Sequence, residues 1–326
     1  MTAHQTRWGM LGAGWIARRA IAPAIHSAQG AQLAVVAARD PDRAARLTPA
    51  VRAVDDYAAV IADPAVDAVF IALSNDAHRP WAIAAMEAGK AVLCEKPLGR
   101  TLADALAMRE VADRTGSLLV EATWNLWHPR TARAAALLAS DTIGTLRSMS
   151  GAFVFDGVPV GNYRLDPALG GGALLDIGCY PLTSAAWSTK SSEFTLREVD
   201  AEYSDTGVDL TTDARLTLGG VEVHVRCSFR EPDFQSLLLE GDHGVLEFTG
   251  GDAYVCWLRP STLRVLDRDG ERVEHFAPVD PYRVMIEQVS RAARGEPAWL
   301  PDPAWSITVS RLMDAIGSSA PPPSEN

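Results

Sequence analysis

WGMLGAGWIAR, residues 8–18, decides the fold of this chain. The apolar run Trp8–Leu11 passes straight into Gly12-Ala13-Gly14-Trp15-Ile16-Ala17, and a helical pattern follows at once. The spacing is G-x-G-x-x-A. Gly12 permits a tight turn, Gly14 lets the backbone approach a pyrophosphate, and Ala17 is small enough for close packing of helix on strand. Unpaired N–H groups and the partial positive charge of a helix start then favour phosphates. Gly12, Ala13, Gly14, Trp15 and Ile16 are therefore candidate cofactor contacts. A tight strand-to-helix turn without a ligand uses the same residues, so context decides. Ile16–Ala28 is helical, with Pro23 inside it, and Gln32–Ala38 is a β-branched run. Strand, helix and strand thus fall where a βαβ unit needs them.

The same rhythm continues to residue 120. Pro41–Leu47, Ala77–Ala88 and Thr101–Thr115 read as helices, the last two ending at Gly89 and Gly116, while Ala68–Leu73, Ala91–Cys94 and Leu118–Val120 read as buried strands. Runs that are apolar on both faces and joined by helices predict a parallel, doubly wound sheet. Beyond residue 123 the period changes to two: in VEVHVRCSF (221–229) the valines, Cys227 and Phe229 share one face, and Glu222, His224, Arg226 and Ser228 the other. Leu196–Tyr203, Thr211–Leu218, Gln235–Leu239, Val245–Thr249, Thr262–Leu266 and Arg272–Phe276 are further strands, several joined by short turn signals. Pro281–Arg294 and Pro303–Ile316 read as closing helices. The expectation is an α/β protein, with an N-terminal Rossmann sheet and a C-terminal α+β domain on a large, predominantly antiparallel open sheet. The expected divisions are 1–122 for NAD(P) binding, 123–318 for substrate binding and oligomerisation, and 319–326 for a flexible tail.

Length and composition agree with this. A chain of 326 residues is long for one core. Hydrophobic residues at 48% and charged ones at 22% are globular values. A net charge of −11 argues against nucleic-acid or anionic-membrane partners. The four cysteines, Cys94, Cys179, Cys227 and Cys256, form no CxxC pair, which fits a reduced cytoplasmic protein. No secretory signal or bilayer-length apolar stretch is evident, and no His/Cys/Asp/Glu grouping has metal-ligand spacing.

Three stretches carry chemistry. In Ala37-Ala38-Arg39-Asp40, alanines stand where an acid would accept from a ribose 2′-OH, and Arg39 and Arg43 follow. A guanidinium forks well onto a 2′-phosphate, so NADP is expected over NAD. The alternative makes Asp40 the ribose acid. Second, AVLCEKPLGR (91–100) ends a strand at Glu95-Lys96-Pro97. Strand ends of such sheets face the ligand crevice at their carboxyl side, which gives Lys96 a place near a cofactor. Third, GGGALLDIGCYPL (170–182) sets Asp176 and Tyr180 four apart, on one face of a helix. Removing a hydroxyl proton needs a base, and a phenol with a pKa of about 10 needs a nearby cation such as Lys96 to serve.

LGAGWIA, AARDPDRA, AGKAVLCEKPLG, EATW and GGGALLDIGCY together resemble the Gfo/Idh/MocA oxidoreductases over essentially the whole chain. The resemblance implies that Lys96 is catalytic, that its peptide to Pro97 is cis, and that Glu95, Lys96 and Pro97 lie at the cofactor. Tyr180 stands where many members carry histidine. That is similar to the branch of dimeric dihydrodiol dehydrogenases and NADP-linked xylose dehydrogenases, with tyrosine as acid–base and Asp176 orienting a substrate hydroxyl. Nucleotide-sugar 3-ketoreductases of deoxysugar pathways form a second tyrosine-bearing branch, and a non-catalytic NADP-binding regulatory protein is the remote alternative. Ser74, Asn75 and His78 match the family loop near the nicotinamide ribose. A capping role and a surface histidine are the structural alternative. Trp124, Asn125, Trp127 and His128 fall over the cofactor in the family, and Tyr163 and Arg164 are further candidates for substrate contact. The substrate implied is an aldose such as xylose or glucose, or a trans-dihydrodiol, and the assembly a homodimer or homotetramer through the C-terminal sheet.

Overall fold

The computed structural model describes residues 5–47 and 52–319. Of the expected tail, residues 320–326 lie outside the described residues, and Ser319 closes the last helix. The chain divides into two compact units.

The first unit comprises Met1–Gly99, Ala103–Trp127 and Asp280–Pro303. Its six parallel strands are β1 (Thr6–Leu11), β2 (Ala31–Ala37), β3 (Arg52–Val54), β4 (Ala68–Ile71), β5 (Ala91–Cys94) and β6 (Leu119–Glu121). They run in the order β3-β2-β1-β4-β5-β6, the doubly wound arrangement whose switch point lies between β1 and β4. Trp8, Met10, Leu11, Val69, Phe70 and Leu93 are fully buried, as strands covered on both faces require. The register forms one row, Val54, Ala37, Leu11, Ile71, Cys94 and Glu121, across all six strands. The segments opening at Gly12, Ala38, Ala72, Glu95 and Ala122 therefore leave the sheet along a single edge.

Asp280–Pro303, which a single cut after residue 122 assigns to the second domain, belongs to this first unit. Its helix Pro281–Ala293 is tied to β1: Trp8 Nε1 donates to Ser290 Oγ (3.0 Å) and Thr6 Oγ1 to Ser290 O (2.9 Å). Arg294 adds a bond to Gly30 O at 2.8 Å.

The second unit comprises Arg100–Leu102, His128–Val279 and Ala304–Asn326. Its strands are β7 (Leu146–Asp156), β8 (Phe194–Tyr203), β9 (Asp209–Leu218), β10 (Val221–Ser228), β11 (Arg230–Gly241), β12 (Gly244–Thr249), β13 (Ser261–Asp267) and β14 (Gly270–Phe276). They form one sheet in the order β14-β13-β12-β11-β7-β10-β9-β8. All pairs are antiparallel except β7 with β10. The helix Cys179–Thr189 packs on β7 and β10. On β10, Val221, Val223 and Val225 are buried, while His224 and Arg226 turn the other way to an ion-pair group with Asp213 and Glu231. Among the described residues no helix is long and apolar enough to cross a membrane.

Candidate active site

The glycine loop has the geometry its sequence demands. Gly12 sits at φ +101°, and a Cβ there would meet Ala72 O at 2.3 Å, so β1 and β4 meet at the turn only because the residue is glycine. A Cβ on Gly14 would find nothing within 4 Å, which leaves open space beside the backbone where a pyrophosphate fits. The helix opens at Trp15, runs to Ser27 with a π-helical stretch at Ala17–Ile21, and buries Ala17. No acidic side chain occupies the first turn of that stretch, so the helix start suits an anion. At the end of β2, Arg39 is exposed and Arg43 Nη2 donates to Ala13 O at 3.2 Å, placing one guanidinium on the glycine loop. Asp40, also exposed, is engaged by its own helix instead: its Oδ1 accepts from Asp42 N at 3.0 Å and caps Pro41–Leu47.

Lys96 is held by its neighbours along the backbone. The Lys96–Pro97 peptide is cis. Glu95, 8% exposed, accepts from Lys96 N at 3.3 Å, and Leu98 N donates to the buried Glu121 Oε1 at 2.8 Å. His78 is fully buried, with Nδ1 2.9 Å from Pro97 O and Nε2 3.2 Å from Leu73 O. Burial pushes its pKa down despite those two carbonyls, so a neutral ring donates to one of them at a time. Its Nδ1 thus meets the segment that carries Lys96, and its Nε2 the connection after β4. Asn75, 7% exposed, opens the helix Asn75–Glu87 directly after Ser74.

In the second unit, Asp176 lies in a π-helical turn, Leu174–Gly178, which runs into the helix Cys179–Thr189 bearing Tyr180. The expected i,i+4 face is thus part of a wider turn, of the kind that often marks a functional site. Asp209 holds its start: Oδ2 accepts from Leu174 N (2.7 Å) and from Thr212 Oγ1 (2.8 Å). Gly172, at φ +117°, lets the chain pass, since a Cβ there would stand 2.2 Å from Asp209 Oδ1. Arg164 Nε donates to Asp176 Oδ2 at 2.6 Å, and its guanidinium lies 4.9 Å from the Tyr163 ring centre. Burial lowers the pKa of Arg164, but Asp176, Tyr163 and Tyr180 outweigh it and hold it above its ordinary value. Tyr163, Arg164, Asp176 and Tyr180 therefore form one cluster. The ion-paired Asp176 can accept hydrogen bonds, beside the Tyr180 phenol.

Residues 6–123 match the model of the Gfo/Idh/MocA oxidoreductase family with its NAD-binding Rossmann fold, and residues 131–247 match the Gfo/Idh/MocA C-terminal domain. A D-xylose 1-dehydrogenase (NADP(+)) from Haloferax volcanii is 32% identical over 321 residues, 96% of this chain and 97% of that protein. The chain belongs to the Gfo/Idh/MocA oxidoreductases. A trans-1,2-dihydrobenzene-1,2-diol dehydrogenase from Sus scrofa is 32% identical over 289 residues, covering 84% of this chain and 81% of that one. The structure of a 3-ketoreductase from Actinomadura kijaniata with NADP and TDP-benzene superposes with a TM-score of 0.89 at 27% identity, over 97% of this chain and 98% of that one. Solved structures of that ketoreductase include variants at one lysine and at one tyrosine, separated by the same number of positions as Lys96 and Tyr180.

Other expected contacts in this Gfo/Idh/MocA chain have structural partners. Trp124 stacks on Tyr282 (4.7 Å, 22°), and Trp127 meets Trp299 edge-on at 5.7 Å. Asn125 is buried. His128 caps the helix Pro129–Ala139: its Nδ1 accepts from Arg130 N at 3.1 Å, so a neutral ring carries its proton on Nε2. Burial, with Arg130 adding to it, pushes His128 down to about 4. The unfolded chain, with an ordinary value near 6.5, binds more protons between those limits. The contribution of His128 to stability is therefore complete above about pH 6.5 and is lost as pH falls toward 4. His128→Asn keeps a capping side chain. It is expected to flatten part of the decline in melting temperature across that window, and an unchanged profile would contradict this. Sequence reading missed Glu121, Asp209, Phe153, Arg130 and Tyr254, of which only Glu121 sits in a quoted motif, EATW.

Proposed function

We propose that this protein moves a hydride between NADP and a hydroxyl-bearing carbon of a sugar or cyclic diol, with aldoses such as xylose or glucose and trans-dihydrodiols as the substrate class. The bound nicotinamide supplies or accepts the hydride. Tyr180 takes the hydroxyl proton in oxidation and returns it in reduction. The Lys96 ammonium favours the phenolate and polarises the carbonyl oxygen, while Asp176, oriented by Arg164, accepts from a substrate hydroxyl. The observation that carries this reading is the Arg164–Asp176 pair at 2.6 Å in the cluster containing Tyr180, which leaves the tyrosine as the proton carrier. The whole-length likeness to NADP-linked xylose dehydrogenase supports the cofactor and the substrate class. The matching lysine–tyrosine separation in the ketoreductase supports the pairing of Lys96 with Tyr180.

Arg43 and Arg39 read the 2′-phosphate in this proposal, with Asp40 occupied as a helix cap. Loss of one charge-assisted contact is worth about 1.5–3 kcal/mol, or about tenfold to a hundredfold in affinity. Arg43→Ala is expected to raise KM for NADP by at least about tenfold and to leave KM for NAD unchanged. Equal effects on both cofactors would remove Arg43 from phosphate recognition.

A nucleotide-sugar 3-ketoreductase is the second reading, favoured by the TM-score of 0.89 to such an enzyme. Screening D-xylose, D-glucose, inositols and trans-dihydrodiols with NADP and NAD, against a TDP-linked 3-keto sugar with NADPH, separates the two. Turnover confined to the TDP-linked sugar would overturn the first. The open sheet face, with Asp213, His224, Arg226 and Glu231, is proposed to join two or four copies in the cytoplasm. A monomer in sedimentation equilibrium would overturn the assembly.

A further inference from the structure

Arg130 is a cation with 2% exposure whose guanidinium donates to four backbone carbonyls. Nη1 donates to Thr249 O (3.2 Å) and Thr262 O (3.4 Å), Nη2 to Asp252 O (2.7 Å) and Ala253 O (3.0 Å). Its guanidinium lies over Phe248, 4.8 Å from the ring centre. The four carbonyls bracket the connection from β12 to β13, and the residue after the last of them in that connection is Tyr254. A planar fork of donors suits this task, which a compact ammonium cannot reproduce.

Tyr254 is itself 1% exposed and tied at both ends: its N–H donates to Gln235 Oε1 (2.9 Å) and its hydroxyl to Ser236 O (3.0 Å). Its ring stacks on Phe153 (5.9 Å, 9°) and lies 5.9 Å from the ring of Tyr180 at 42°. Phe153 closes the triangle, 5.4 Å from Tyr180 at 52°. Tyr180 thus rests on a shelf of two rings, one fixed by β7 and the other by Arg130 and Gln235. Burial pushes the Tyr254 phenol up, so it holds its proton and cannot replace Tyr180.

We propose that Tyr254, locked by Arg130, is a positioning residue that fixes the Tyr180 ring for proton transfer. This rests on the reading of Tyr180 given above. A misplacement of about 1 Å costs about a hundredfold in rate. In the full chain, assayed with the best substrate of the screen, Tyr254→Leu is expected to lower kcat about 10- to 100-fold with KM for NADP unchanged. Tyr254→Phe keeps the ring and should restore kcat to within about threefold of the parent, a rescue that general loss of structure would not give. Arg130→Lys should match Tyr254→Leu, and the double variant should be no slower than either, because both remove one restraint. NADPH binding followed by fluorescence verifies that each variant is folded.

Parent-like kcat in Tyr254→Leu, equal damage in Tyr254→Phe, or multiplicative loss in the double variant would overturn the proposal. If Tyr180→Phe turns over normally, the reading of Tyr180 fails and takes this one with it. If Tyr180→Phe is slow while Tyr254→Leu is not, only the positioning role fails.

Discussion

Tyr180→Phe is expected to lower kcat by about a hundredfold or more while leaving the fold and NADP affinity unchanged. The substitution removes one oxygen and keeps the ring that Phe153 and Tyr254 flank at 5.4 and 5.9 Å, so little packing is lost. What disappears is the proposed proton carrier. General acid–base groups contribute about 10²- to 10⁴-fold, so a drop of about a hundredfold is the low end of the range. Asp176 cannot substitute, because Arg164 holds it as an ion pair at 2.6 Å. The pH dependence of kcat is the second readout: the limb that reports the phenol should vanish in the Phe variant, since no group of that class remains on the reacting oxygen. A kcat within threefold of the parent would show that another group carries the proton.

The parts of this site differ in how far they were written locally. Gly12, Gly14 and Ala17 could be read because a tight strand–helix turn restricts residue choice within six positions. Lys96 was legible as a strand end, and the row from Ala37 to Glu121 explains why that matters: parallel register brings five successive connections to one edge. β7 was not legible. LRSMSGAFVFD carries Ser148, Ser150, Gly151 and Ala152, which blur the alternation, although Met149, Gly151 and Phe153 are buried in period two. Its central place depends on pairing with β10 and β11, 74 to 95 positions away. Asp280–Pro303 escaped for the same reason, since Ser290 meets Thr6 and Trp8 across more than 280 positions. At Asp176 and Tyr180 the spacing of four was legible, but the π-helical turn that carries Asp176 was not, because nothing in the local pattern marks the wider turn. Tyr254 lies in GGDAYVCW, a stretch with no period, and acquires its role only through Arg130 from a distant helix.

Lys96→Met is the second large effect, and its value lies in combination with the first. Methionine keeps most of the length of the lysine stem and removes the charge. The backbone around it is fixed independently by Glu121 at Leu98 N and by His78 at Pro97 O, so the segment should survive the change. On the proposed chemistry kcat falls by about a hundredfold or more, as it does for Tyr180→Phe. Groups that act as a unit are not additive: once one is lost, removing the other costs little. The double variant Lys96→Met/Tyr180→Phe should therefore be about as slow as the slower single variant, rather than slower by the product of the two factors, about 10⁴. Multiplicative losses would mean that Lys96 and Tyr180 serve separate steps. Lys96 would then act on the cofactor or in binding, and the shared proton transfer proposed for the pair would be wrong even with both residues essential.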